Sequence, residues 1–314
     1  MKKNTGLVDG GILLATYMIM IFTATYIPIL GTVVLFFLPV PFILMSLRHN
    51  VKWSFILLVG SSFLTILLGM VFSVPMTIIF GLIGMIIGSY LRNDRNQLQM
   101  FIVSVLTFMA CTLIVFIITT TFFSVNFFDQ STVIIEESVE QSSEILSSLG
   151  QEEQAGELVE QMKTAFALIE IVLPSILVIS SIVFVGLVFL ACKPVVNRLS
   201  KKKMTIAHVR DIQLPKSLLW YYLFIMVGSL IFTFNEGTYS YTVVANLLFL
   251  LQFFMLLQGY SFLFFLSHAK SWPNAVPVLI TILSVLLALT PFVRILGIMD
   301  LGFPFRKTMV TKGE

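Results

Sequence analysis

Apolar runs long enough to cross a membrane alternate with short polar breaks along almost the whole chain. A helix needs about 20 apolar residues to cross a hydrocarbon core. By that measure the runs at 7–27, 30–47, 53–71, 76–91, 100–123, 165–192, 217–234, 241–266 and 276–293 each predict a helix. The second run is short and is broken by Pro39 and Pro41. Turns fall at the charge-free Pro28-Ile29-Leu30-Gly31, at Ser73-Val74-Pro75 and at Asn235-Glu236-Gly237. Arg48-His49-Asn50 with Lys52, and Arg92-Asn93-Asp94-Arg95, mark basic loops. The first run follows Lys2 and Lys3 and continues to Tyr26 without a small-residue cleavage site. It therefore reads as an uncleaved first span rather than a signal peptide.

Two polar islands interrupt this pattern. Residues 126–164 carry Asp129, Glu136, Glu137, Glu140, Glu144, Glu152, Glu153, Glu157 and Glu160 against a single Lys163. Val139, Ile145, Leu146 and Leu149 recur there at helical spacing. Gly150 ends that stretch, and Leu158, Val159 and Met162 pattern a second, which predicts an amphipathic helical hairpin. Residues 193–216 have the opposite sign, with Lys193, Arg198, Lys201, Lys202, Lys203, Arg210 and Lys216 against Asp211. The chain thus divides into a five-span region (1–125), an acidic extracytoplasmic insertion (126–164), a sixth span (165–192), a basic cytoplasmic loop (193–216), further spans (217–293) and a polar tail (294–314).

Charge fixes the orientation. With the N-terminus inside, 14 of the 19 Lys and Arg fall in cytoplasmic loops and only Lys163 falls outside before the tail, as the positive-inside rule requires. The tail is the misfit. Nine spans put Arg294, Arg306, Lys307 and Lys312 outside, whereas eight put them inside. The length of every apolar run favours nine, and a last run lying partly in the interface would restore the rule.

Composition agrees with an all-α polytopic membrane protein of eight or nine helices in a bacterial cytoplasmic membrane. The 314 residues are 58% hydrophobic and 11% charged, with mean hydropathy +1.00, against about 25% charged in a soluble domain. The formal charge of +3 averages opposite patches and implies no nucleic-acid partner. Cys111 and Cys192 fall in different spans, so no disulfide is expected. Together with His49, His208 and His268 they make no metal pattern. No nucleotide loop, nucleophile elbow or HExxH motif is present, so neither an enzyme nor a cofactor is expected.

Two kinds of candidate contact remain. Gly81, Gly84 and Gly88 line one helix, and Gly11 and Ala15 lie on the first. Such small-residue spacing lets helices approach closely in lipid, either within the bundle or against a partner subunit. Asn246, Gln252, Gln258 and Tyr260 make the eighth span rich in polar groups, suited to a small solute or to a neighbouring helix. Asp9, Glu170 and Arg294 lie at span ends and read as interfacial. Asp300 and Arg306 either pair in a folded tail or are solvated. The basic loop fixes topology, with anionic lipid or an acidic partner as further readings.

Gly11 to Arg92, through Leu38-Pro39-Val40-Pro41, Arg48-His49-Asn50 and Gly81-x-x-Gly84-x-x-x-Gly88, resembles the front of the YybS family of uncharacterised bacterial multi-pass proteins. Residues 296–307 resemble that family's ending. The resemblance implies a Gram-positive cytoplasmic membrane and no assigned chemistry. The first six spans are also similar in layout to the S components of energy-coupling-factor importers, which bind a small solute and rely on partner subunits for energy. Gly11 and Ala15 would then face the coupling subunit. The acidic insertion and the extra spans depart from that layout, and it carries a fold-level analogy only. A non-transporting scaffold or regulator is the alternative.

Overall fold

The computed structural model describes residues 2–122, 137, 138, 141, 152–232, 234, 235, 237–273, 275–303, 305 and 306. Among these residues the regular elements are all helical: α1 (Lys2–Tyr26), α2 (Pro28–Leu35), α3 (Val40–Arg48), α4 (Val51–Leu67), α5 (Val74–Arg92), α6 (Gln97–Phe122), α7 (Glu152–Leu199), α8 (Ser217–Ile231), α9 (Tyr239–Ala269), α10 (Ala275–Leu286) and α11 (Thr290–Gly302). Six helical stretches there are long and apolar enough to cross a membrane, and Val51–Leu67, Ser217–Ile231 and Ala275–Leu286 are shorter apolar helices. The protein is an all-α polytopic membrane protein.

Two compact units are formed, one from residues 1–135 and 180–206, the other from 136–179 and 207–314. The first is built around α3 and α5. Pro39 and Pro41 split the second predicted span into α2 and α3, and all of α3 from Val40 to Ser46 is buried. Asn50 starts α4 by accepting the Trp53 N–H at 3.0 Å. Gly69, at φ +74°, closes α4 with the left-handed turn that glycine takes without a Cβ clash. Tyr17 and Phe42 meet edge to face, with centroids 4.9 Å apart, and Ser54 donates to the Phe42 carbonyl at 3.0 Å. The end of α7 joins this core through Phe184, stacked on Phe108 at 4.8 Å. Asn197 binds both the N–H and the carbonyl of Met204, which turns the chain back after the helix. Lys202 then pairs with Asp94, so part of the basic loop is neutralised within its own unit.

The second unit packs α9 against α11, with Leu219, Tyr222, Leu251, Met255 and Leu301 at its core. Thr238 caps α9 by accepting the Tyr241 N–H.

Two expectations are corrected. The helix that carries the sixth apolar run extends past both of its ends: α7 is one helix from Glu152 to Leu199, and it absorbs the second half of the expected acidic hairpin. The first half of that hairpin, apart from residues 137, 138 and 141, and its turn at Gly150 lie outside the described residues. The run at 276–293 is likewise not one helix. It breaks at residues 287–289, where Ala288 sits at φ +53° and the Leu289 N–H reaches back to the Ser284 carbonyl at 2.8 Å, the Schellman arrangement of a helix end. Pro291 then starts α11. At 12 residues, α10 spans about 18 Å at 1.5 Å per residue, well short of a hydrocarbon core. α11 runs through what was expected to be the start of a polar tail.

Candidate functional site

The polar residues expected on the eighth span divide into three that bind neighbouring helices and one that faces a cavity. Pro174 has no N–H to offer the carbonyl four residues earlier and so interrupts the hydrogen-bond ladder of α7. Asn246 binds the backbone on both sides of it. Its Nδ2 donates to the Ile171 carbonyl at 2.7 Å and its Oδ1 accepts the Ser175 N–H at 3.0 Å. Tyr260 Oη and Ser284 Oγ lie 3.0 Å apart, joining α9 to α10. Gln258, 1% exposed, accepts the Leu214 N–H at 2.9 Å and donates to Asp300 at 2.5 Å.

Asp300 and Arg306 do pair. Their side chains are 2% and 10% exposed, and the guanidinium donates to both carboxylate oxygens at 2.7–3.0 Å. It also donates to the Arg210 carbonyl at 2.7 Å and to Ser261 at 3.1 Å, and it lies over the Phe265 ring. Ser261 in turn donates to the Ile212 carbonyl at 2.6 Å. A buried ion pair is tolerated only when its remaining lone pairs and protons are satisfied in this way. The network ties the end of α11 to residues 210–214 and to the C-terminal half of α9. Since α10 starts just after that end of α9, α10 and α11 form a hairpin that returns to the side it left. Residue 306 therefore lies at the same end of the second unit as Arg210.

This hairpin moves Arg294. The sequence places it at a span end, but in the structure it lines a cavity of about 260 Å3 with Thr290 of α11, Phe249, Gln252, Phe253 and Leu256 of α9, and Ile179 of α7. Gln252 lies 13 residues after Tyr239 and Leu256 lies 13 before Ala269, so about 20 Å of helix flanks them on each side. Ile179 lies midway along the apolar run 165–192. The cavity therefore lies near the middle of α9 and of the apolar run carried by α7. Among the described residues the side chains of Gln252, Thr290 and Arg294 have no hydrogen-bond or ion-pair partner.

The small-residue candidates separate as sharply. A Cβ on Gly84 would lie 2.6 Å from the Pro39 carbonyl, and one on Gly88 would lie 2.6 Å from that of Ile43. One on Gly81 would strike Leu58. These glycines seat α5 on α3 and α4. Among the described residues nothing lies within 4 Å of a Cβ built on Gly11, and it and Ala15 are exposed. Asp9 bonds His49 at 2.8 Å and lies 3.8 Å from Arg48, which agrees with its place at a span end.

Gln252 was expected to matter, and Arg294 is the residue that sequence reasoning misplaced. The signal for it was weak: Pro291, just upstream, is the one residue in that apolar run that calls for a new helix.

The family of the chain is one of membrane proteins. A family model described as "Predicted membrane protein (DUF2232)" matches residues 15–301. The "Uncharacterized protein YybS" of Bacillus subtilis (strain 168) is 26% identical over 307 residues, which covers 98% of this chain and 99% of that one. No solved structure matches the chain. The family match runs from the first span through both units and the returning hairpin, and the chain belongs to the DUF2232 family of predicted membrane proteins.

Proposed function

We propose that this protein is a membrane-embedded binding component that holds a small solute in the cavity between α7, α9 and α11. The observation that carries the reading is the convergence on one apolar-walled cavity of three polar side chains that have no partner among the described residues, the usual form of a small-molecule site. The chain has no nucleotide-binding motif, so in this reading any energy for transport comes from partner subunits, and the protein itself is not an enzyme. The resemblance to importer S components supports a binding role but does not supply the site, which is lined largely by the added C-terminal helices. The bacterial cytoplasmic membrane, with the N-terminus inside, is part of the same proposal.

Thermal unfolding of the purified protein against a panel of vitamins and related small metabolites tests it. Stabilisation by a member of the panel that is lost on filling the cavity with Gln252→Phe supports the reading. Equal stabilisation of both proteins would contradict it.

A second reading, a scaffold for other membrane proteins, is favoured by one observation. Gly11 and Ala15 present an open small-residue face on α1, suited to close helix contact.

A further inference from the structure

On that reading of the cavity, we propose that its ligand is a small monoanion, with a carboxylate or phosphate group held by Arg294 and an apolar body against Phe249, Phe253 and Leu256.

A charged side chain at mid-membrane depth is costly unless it is paired or faces a polar cavity, which makes it a functional candidate by default. The unit shows the contrast directly. Arg306 spends its donors on Asp300, Ser261 and the Arg210 carbonyl. Arg294, three turns earlier, has no such partner among the described residues. Among the described residues the lining contains no acidic side chain, so the positive charge of Arg294 is uncompensated there and one negative charge neutralises it.

The other groups fit the same ligand. A guanidinium presents a planar fork that matches carboxylate or phosphate with two parallel hydrogen bonds. Thr290 offers a hydroxyl and Gln252 an amide N–H. Thr290 is also the first residue of α11, where the helix dipole adds partial positive charge. The rest of the wall is aromatic or aliphatic. The volume of 260 Å3 holds about nine waters at ~30 Å3 each, which gives room for a small organic acid or one lipid headgroup.

The test uses the full-length protein in nanodiscs, in zwitterionic lipid and in lipid containing phosphatidylglycerol. Thermal unfolding is followed against benzoate and hexanoate, with benzamide and hexanamide as uncharged controls. The acids are expected to stabilise the protein and the amides to do so at least tenfold more weakly by concentration. Arg294→Gln should abolish the difference, and Arg294→Lys should keep part of it, because lysine retains the charge and loses the fork. Arg294→Gln should also raise the unfolding temperature without ligand, since it removes an unpaired charge. A lower temperature would show that Arg294 already has a protein partner and would overturn the proposal. Stabilisation by the acids in both membranes assigns the site to a soluble acid. An effect of the acids that disappears with phosphatidylglycerol, together with stabilisation by that lipid that depends on Arg294, assigns it to an anionic headgroup. Both results support the monoanion. Acids and amides acting equally, with both effects lost in Gln252→Phe, would overturn the charge inference and leave the small-solute reading standing. No effect from any probe or lipid, with Arg294→Gln unchanged in stability, would overturn both.

Discussion

Gly259 of α9 and Gly297 of α11 meet backbone to backbone: a Cβ built on Gly297 would lie 2.7 Å from the Gly259 amide nitrogen and would overlap the Met255 carbonyl. A Cβ on Gly259 would likewise overlap the Val293 carbonyl. In lipid, where apolar surface gains nothing by leaving its surroundings, such close approach is a main source of helix association. It fixes the face of α9 that α11 covers, and with it the position of Arg294 one turn before Gly297.

Gly297→Ala is therefore expected to lower stability by about 1–3 kcal/mol, the usual range for overpacking, because the obstructing atoms are backbone and cannot rotate away. Reversible unfolding in mixed micelles measures it. Gly60→Ala, where nothing lies within 4 Å of the added methyl, should stay within about 0.5 kcal/mol of the parent.

Arg306→Met should cost about 3–5 kcal/mol, because it leaves Asp300 buried without its partner. The double variant Arg306→Met, Asp300→Leu should be more stable than Arg306→Met alone, since no unpaired charge remains. A double-mutant cycle by the same unfolding assay checks both statements. If the double variant is the less stable, the cost of Arg306→Met does not come from the unpaired charge of Asp300.

Asn246→Leu removes the bridge across Pro174, leaving the Ile171 carbonyl and the Ser175 N–H without it. A loss of about 1–2 kcal/mol is expected, at the upper end for interhelical hydrogen bonds in membranes. Asn246→Gln displaces the amide and should rescue little.

Gly11→Leu separates the two functional readings. The open space around Gly11 predicts unchanged expression and unfolding. If α1 is a partner face, proteins recovered by crosslinking in cells should fall several-fold, and an unchanged crosslinking pattern would remove the scaffold reading at that face. Gly84→Leu should instead impair folding, because Pro39 and Phe42 close on it.

The spans were legible in the sequence because each apolar run has roughly the length of a bilayer and each break carries charge, proline or a turn. The polar role of Asn246, Gln258 and Tyr260 was legible for a related reason: amides and hydroxyls inside a span must find partners. The hairpin of α10 and α11 was not. Its turn is Leu287-Ala288-Leu289, apolar throughout, and the left-handed residue is alanine, which takes that conformation at roughly 1–2 kcal/mol where glycine would have marked it. An unbroken apolar run reads as a crossing, so Arg294 was placed at its end instead of deep within it. The network at Arg306 was half legible: the spacing to Asp300 was visible, whereas Ser261 and the Arg210 carbonyl are 45 and 96 residues away. Gly259 and Gly297 are distant from each other in the same way, and no local pattern links them.

The return of α10 and α11 to the face that carries Arg210 is what places Arg294 at depth. Single cysteines at Val209, Tyr239 and Thr311, in a chain with Cys111 and Cys192 changed to serine, test it when labelled with a membrane-impermeant maleimide in intact and in permeabilised cells. Val209 and Tyr239 are exposed and report the two faces. The account predicts that Thr311 labels with Val209 and oppositely to Tyr239; labelling with Tyr239 would make the last run a full crossing and contradict it.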